Sequence, residues 1–539
     1  MAITVALNND KGFKWYKAQY QQRACSVKGY AFYDNEHLQG IELATKIIDE
    51  IRTEDPAQLL LNLNGNFALV YEDNKHVIAT VDKVRSIPLF FSPPKFAGTA
   101  PFLISDDAYW IRNELDVTKI NPLNMTMLMT TLYVLDNDTI FDEIKLIRAG
   151  EFLSIQKGPQ NHIYRTERYY QLLHGLSEST TNEHLRHSYH KTIQNVFQRL
   201  IQSVNNRPMI VPLSGGLDSR LIVTMLKKLG AENVVCYTYG RKYSSETEIS
   251  KLVSDTLGYP NHRVTYTRKQ QRRDYHNPER KRSVKYAFNL CAHMNHHDIF
   301  AIWELNSKGL LPSNGIIIPG FFGEFIAGAH TPSVLRQTDL LNRDVITETI
   351  IDRHMGEWFW SKKKNPNFYK SIKEKISHQL QHFTIEDKKS AFMAFKWWEW
   401  QERQAKYIIN ACRVYEYLGF EWRLPFVDDE MLNFWGEVPI SYQMGSRFYR
   451  QFLENELYKE YDLALFKAIK KKRNVGIYDI DNLFNPTIAR SSVRGKNLVW
   501  KMYQRHLPGD IIHSYYLTHA STFNAYSLIT EIDEHLMMD

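Results

Sequence analysis

The alternation of apolar and polar positions changes character once along the chain. Through Leu172 the apolar residues come in short β-branched and aromatic runs. Asn62–Pro93 reads NLNGNFALVYEDNKHVIATVDKVRSIPLFFSP, with apolar runs on either side of the polar break Glu72–Lys75, which predicts a β-hairpin. Gly150–Gln156 (GEFLSIQ) predicts another strand, closed by the turn signal Gly158–Pro159. The stretch LLHGLSESTTNEHL then reads as a linker, with Ser177–Thr181 capping a long amphipathic helix that runs to about Val204. Beyond it, Pro208–Leu213 predicts a short apolar strand, followed by a Gly-rich turn and a helix over Asp218–Leu229. A buried strand at Asn233–Tyr239 and a helix at Glu246–Leu257 continue the series. This strand–helix alternation predicts a doubly wound parallel sheet. From Lys285 onward the pattern is mostly helical, with aromatic segments such as Phe392–Trp400 and no internal repeat. The expected division is an α/β chain with a strand-rich domain at 1–172 and a second domain at 173–539.

Composition narrows the class. The chain has 539 residues, enough for two to four domains at about 100–200 residues each. With 43% apolar and 24% charged residues, wholesale disorder is excluded. Basic residues exceed acidic ones by 67 − 60 = 7. That excess is local: Arg263, Arg268, Lys269, Arg272, Arg273, Arg280, Lys281, Arg282 and Lys285 face only Asp274 and Glu279 in the same segment. The rest of the chain is neutral, which argues against a nucleic-acid-coating protein. Four cysteines without CxxC spacing, no signal-like start in MAITVALNND and no long apolar run predict a reduced, cytoplasmic chain without a membrane span.

The most specific chemistry lies in Ser214-Gly215-Gly216-Leu217-Asp218-Ser219, between a predicted strand and a predicted helix. Two glycines let backbone N–H groups turn inward, the serines add hydroxyls, and the helix start adds a positive dipole end. Asp218 would repel phosphate unless a divalent cation bridges them, so the loop implies Mg²⁺.

SGGLDS resembles the pyrophosphate-binding loop of the N-type ATP pyrophosphatases. Glu421–Asp428 (EWRLPFVD) resembles the E-x-R-x-P-F-L-D segment of asparagine synthetases, and Gly320–Gly328 (GFFGEFIAG) is similar to their G-x-G-x-D-E-x-x-x-G loop. Thr139–Ile155 and Asn64–Phe91 resemble the closing part of their amino-terminal domain. The chain is identified on these residues as similar to the asparagine synthetase-like family. That resemblance implies a class II amidotransferase-like, N-terminal-nucleophile-type sandwich followed by an ATP pyrophosphatase domain. It further implies ATP bound by Leu213, Ser214, Gly215, Gly216, Leu217, Asp218, Ser219 and Arg220, with Tyr237, Thr238, Tyr239 and Gly240 framing adenine. Gly320 and Gly323 would complete the nucleotide site, Asp218 and Glu324 would hold Mg²⁺, and Lys471, Lys472 and Glu402 would be catalytic.

Several residues depart from the family pattern. Position 2 is Ala2, where glutamine-hydrolysing members carry the nucleophilic cysteine, and internal Cys25 lacks the α-amine that serves as base. The first domain is therefore expected to be a scaffold without glutaminase activity. Phe321 stands where relatives carry a glutamate or tyrosine and cannot do proton chemistry, while Glu324 replaces an aspartate. Glu246 is equally explained as an acidic residue in a first helical turn, and Glu402-Arg403 as a buried ion pair. Cys291, His293, His296, His297 and Asp298 form a thin metal candidate, whose histidines are better read as structural or substrate-lining.

The function expected is ATP-dependent adenylation of a small-molecule carboxylate, then transfer to ammonia or an amine, with an ammonia-supplying or pathway protein as a partner. Surface-polysaccharide and natural-product biosynthesis are both open settings. The basic segment Arg263–Lys285 favours an anionic substrate. The alternatives are a catalytically dead scaffold and a tRNA-modifying ATP pyrophosphatase.

Overall fold

A computed structural model describes residues 2–93, 101–158, 162–172, 180–240, 244–267, 270, 273, 277–293, 298–337, 341–355 and 366–463. Its N-terminal part holds eleven strands in two sheets: β1 (Ile3–Ala6), β2 (Trp15–Tyr20), β3 (Arg23–Tyr33), β4 (Glu36–Gln39), β5 (Asn64–Glu72), β6 (His76–Val81), β7 (Phe90–Phe91), β8 (Phe102–Ser105), β9 (Lys145–Leu146), β10 (Glu151–Gln156) and β11 (Ile163–Arg168). The larger sheet runs β11-β10-β6-β5-β3-β2 with β4 paired to β3, and the smaller runs β1-β8-β7-β9. The expected hairpin is β5–β6, antiparallel from Ala68↔Val81 to Glu72↔Val77 around the polar break. One face of the large sheet packs on the helices Gly40–Glu50 and Pro56–Asn62 through Val27, Leu43, Ile47 and Leu69. The other face joins a core that continues into the C-terminal part.

The long helix begins where the sequence places it. Thr181 caps Asn182–Ser203 by accepting the His184 N–H, although most of the linker before it lies outside the described residues. Five strands then form the parallel sheet: β12 (Met209–Pro212), β13 (Val234–Gly240), β14 (Asn261–Thr265), β15 (Ile316–Ile317) and β16 (Glu421–Trp422). Their order, β14-β13-β12-β15-β16, steps outward from β12 in one direction and then in the other. The reversal between β12 and β15 opens a crevice at the carboxyl ends of the strands, where doubly wound sheets bind ligands. Helices make up most of the described chain after β14. The aromatic segment forms the helix Lys388–Glu399, started by a reciprocal Asp387–Ser390 capping box, and continues as a wide π-helical stretch over Trp400–Ile408.

EWRLPFVD binds the two parts of the chain together. Arg423 is 1% exposed and lies over the Tyr30 ring at 4.1 Å. Asp428 caps the following helix, accepts a bidentate pair from Arg199 and is reached by Asn64. Lys28 and Glu416, both fully buried, form an ion pair across the same boundary, and Lys83 pairs with Asp429 at 2.6 Å. Among the described residues no helix is long and apolar enough to cross a membrane.

Candidate functional site

The loop after β12 is held by its own hydroxyls. Ser219 Oγ accepts the Ser214 N–H at 3.1 Å and lies 3.1 Å from Ser214 Oγ, which itself accepts the Gly216 N–H at 3.0 Å. Gly216 stands at the N-cap of the helix Leu217–Lys228 and offers no side-chain acceptor, so that helix start has no side-chain cap. A side chain at Gly215 would meet the Glu246 backbone at 3.1 Å, so the loop nests against the start of the next helix. Tyr458 Oη donates to the Leu217 carbonyl at 2.9 Å, and Arg220 turns back to the Gly216 carbonyl and over the Tyr458 ring.

Asp218 is the pivot. Its Oδ1 accepts the Tyr449 hydroxyl at 2.8 Å, and its Oδ2 accepts the Glu324 N–H at 2.9 Å. Burial pushes its carboxyl up to about 7, and the like charge of Glu324 adds to the rise. Gly320 and Gly323 are glycines for a steric reason. A Cβ at Gly320 would lie 2.8 Å from Ser219 N, and one at Gly323 would lie 2.6 Å from Asp218 Cγ. Between them Phe322 is buried in a left-handed conformation with φ of +81°, a strained backbone of the kind that gathers at ligand-binding loops.

These pieces enclose a cavity of about 280 Å³ at the carboxyl ends of β12 and β13 and just beyond β15. Of the expected site residues, Leu213, Ser214, Gly216, Leu217, Asp218, Ser219, Tyr237, Thr238, Tyr239, Gly320 and Glu324 line it. Gly215, Gly240 and Gly323 shape the backbone behind that wall, and Arg220 braces the loop from outside it. Glu246 and Phe321, left open by the sequence, also line it. Asp298 and Tyr415 are lining residues that sequence reasoning did not place here. The signal available for Asp298 was its position at the start of the helix preceding β15.

Glu402 is a correction. It is 1% exposed, absent from the cavity lining, and bonded to Lys406 at 2.6 Å, to Gln379 Nε2 at 2.6 Å and to the Asp136 N–H at 2.9 Å. Lys406 also donates to the Val134 carbonyl at 2.8 Å, so this pair fastens a loop of the N-terminal part to the π-helical turn. Glu402 is thus in a buried ion pair, but with Lys406, where the sequence reading paired it with Arg403. Lys471 and Lys472 lie outside the described residues, as do His296, His297, Arg268, Lys269 and Arg272. The described members of the basic segment do not line the cavity: Arg263 faces Glu248, Arg282 faces Glu279, and Lys285 covers the Tyr109 ring. Among the described residues no three His, Cys, Asp or Glu side chains gather around one point.

Asp218 and Glu324 are the residues that could hold Mg²⁺. Two carboxylates in one cavity, one of them with its acidity weakened by the other, suit a cation that takes one or two carboxylates and completes its shell with phosphate and water. Glu324 is already neutralised in part by Arg450, 3.2 Å away at the surface.

Part of the chain matches a known family. Residues 195–277 match the family model described as asparagine synthase. No curated protein matches the chain. Similar solved structures include an NH3-dependent NAD synthetase from Campylobacter jejuni, at 12% identity over 37% of this chain and 88% of that one, with a TM-score of 0.20. The allosteric regulatory enzyme of purine biosynthesis matches at 12% identity over 47% and 62%, with a TM-score of 0.19. The glutamine phosphoribosylpyrophosphate amidotransferase of B. subtilis matches at 10% identity over 47% and 72%, also at 0.19. Likeness at these scores establishes nothing about activity. The family match covers β12, the SGGLDS loop, its helix, β13 and β14, and over that segment the chain is asparagine synthetase-like.

Proposed function

We propose that this chain is an ATP-dependent synthetase that activates a carboxylate and forms an amide. The observation that carries the reading is the SGGLDS loop, with Asp218 beside Glu324, in a cavity at the reversal point of the parallel sheet. The asparagine synthase match over 195–277 supports the same general chemistry.

In this reading the phosphates of ATP lie against the Gly216–Ser219 helix start, whose N–H groups and dipole favour anions. Tyr237, Thr238 and Tyr239 face the rest of the nucleotide. Asp218 and Glu324 would hold Mg²⁺, which would neutralise phosphate charge. A substrate carboxylate oxygen attacks the α-phosphorus, the bond to the bridging oxygen breaks, and pyrophosphate leaves. An amine nitrogen then attacks the acyl carbon, AMP departs, and the nitrogen gives up a proton to solvent. The work asked of the protein is positioning and charge stabilisation more than acid–base chemistry. Lys471 and Lys472 are proposed to meet the charge on the leaving pyrophosphate.

We read residues 1–172 as an N-terminal-nucleophile-type scaffold that does not hydrolyse glutamine, and residues 173–539 as the synthetase domain. The one cysteine of that first part, Cys25, is fully buried in β3, and burial pushes its thiol far up, which suits packing and not attack. The nitrogen would then come from ammonia, an amine or a partner protein. The test is pyrophosphate release over a panel of carboxylates with ammonia and several amines, comparing wild type with Asp218→Ala. Release that depends on a carboxylate and disappears in the variant is expected; release that survives Asp218→Ala overturns the site. ATP binding without release from any pair would support a scaffold, a reading favoured by Ala2 and by Phe321 and Glu324 at the cavity wall.

A further inference from the structure

The cavity holds a carboxylate that the nucleotide chemistry leaves unused. Asp298 is 6% exposed and forms part of the cavity wall. Its Oδ2 accepts both the Tyr237 hydroxyl at 3.1 Å and the Tyr415 hydroxyl at 2.7 Å. No other described residue bonds its Oδ1, and no described Lys, Arg or His pairs with it. Burial pushes its carboxyl up and the two hydroxyl donors oppose that rise, while no cationic side chain among the described residues balances its charge. A buried carboxylate that opens on a cavity and has no cation among the described residues is placed to take one from a bound molecule.

The surroundings select the kind of cation. Among the described residues Asp298 bonds two tyrosine hydroxyls and no second carboxylate, unlike Asp218, which stands beside Glu324 and would share Mg²⁺ with it. An ammonium group needs one good acceptor and is further attracted by aromatic faces. Tyr237, Tyr239, Phe321 and Tyr415 share the cavity with Asp298, and Tyr239 stacks between Tyr237 and Tyr266 with centroids at 6.5 and 5.3 Å. Among the described residues, no Lys or Arg lines the cavity, whereas Glu246 and Glu324 do. Such a wall offers a second anion beside ATP no cation among the described residues, contrary to what the basic segment alone suggests.

The geometry points to Asp298, held by Tyr237 and Tyr415, as the recognition point for an ammonium group carried by the molecule that binds beside ATP. The proposal rests on the synthetase reading only in calling that molecule a substrate. Ion pairing keeps the amine protonated, so this nitrogen anchors the substrate and is not the attacking one.

Thermal melting of the full chain with methylammonium chloride tests the site, against equal concentrations of sodium chloride and tetramethylammonium chloride, the latter having no N–H to donate. Methylammonium is expected to raise the melting temperature of wild type and to leave that of Asp298→Asn unmoved. No response in wild type, or an equal response in both proteins, overturns the ammonium site. A second measurement needs no variant and so stands even if Asp298→Asn fails to fold. Pyrophosphate release with lysine and glutamate is compared with their Nα-acetyl forms and, for lysine, the doubly acetylated form. Removing every amine is expected to lower kcat/KM by at least about 100-fold, with KM for ATP unchanged. Equal rates with and without an amine overturn the proposal. A methylammonium response that needs Asp298, with no release from any acid, keeps the site and sinks the synthetase reading instead.

Discussion

Gly323→Ala adds one methyl group at the contact on which the proposed nucleotide site turns. The new Cβ would stand 2.6 Å from Asp218 Cγ and 2.7 Å from both carboxylate oxygens, where ordinary contact begins at 3.4 Å. Roughly 0.8 Å of movement is therefore needed, and the nearest atoms belong to a buried carboxylate tied to Tyr449 and to the Glu324 N–H. Either Asp218 swings off these donors or the Gly320–Glu324 loop retreats from the phosphate side. Gly323 has no left-handed φ and begins a short helix, so alanine brings no backbone strain there. Overpacking should cost about 1–3 kcal/mol. Misplacing the loop by nearly an ångström should cost on the order of 100-fold in kcat. Thermal melting and pyrophosphate release, measured on the same preparation, separate the two effects. A variant that melts at or above wild type and turns over at the wild-type rate would refute the reasoning.

Glu402→Gln should lower stability by about 3–5 kcal/mol, because it leaves Lys406 buried without its partner, while KM for ATP stays at the wild-type value; a denaturant titration and ATP kinetics check both. Glu416→Gln strands Lys28 and Arg413 together and should cost a similar amount, and adding Lys28→Met should recover part of the loss in a double-mutant cycle. His354 is buried, and that burial lowers its imidazole to about 3, so the fold holds it neutral while the unfolded chain protonates it near 6.5. Its contribution is complete above pH 6.5 and is lost as pH falls toward 3. The melting temperature of His354→Gln should therefore fall less steeply than that of wild type between pH 7 and 5.

What was legible in the sequence was whatever short-range pattern encodes. The β5–β6 hairpin follows alternating runs around a polar break, and SGGLDS lies on the predicted strand–turn–helix because Gly216 both turns the chain and starts the helix. The far wall of the site was harder to read. Asp298 and Tyr415 reach the cavity only because the parallel sheet brings distant segments to one edge, and no local spacing announces that. EWRLPFVD, among the most specific motifs in the sequence, serves the joint between the two parts and not the cavity lining. Glu402 was misread toward catalysis because adjacency to Arg403 says nothing about facing, and the π-helical turn directs it to Lys406. The basic excess of Arg263–Lys285 was countable, but its described members find partners away from the cavity.

The central claim is that the Asp218 loop activates a carboxylate with ATP, and carboxylate-dependent exchange of labelled pyrophosphate into ATP tests it most directly. Wild type should exchange label only when an accepted carboxylate is present, and Asp218→Asn, with its fold intact by melting, should lose about 100-fold or more of that rate. Exchange at the wild-type rate in Asp218→Asn would contradict the account.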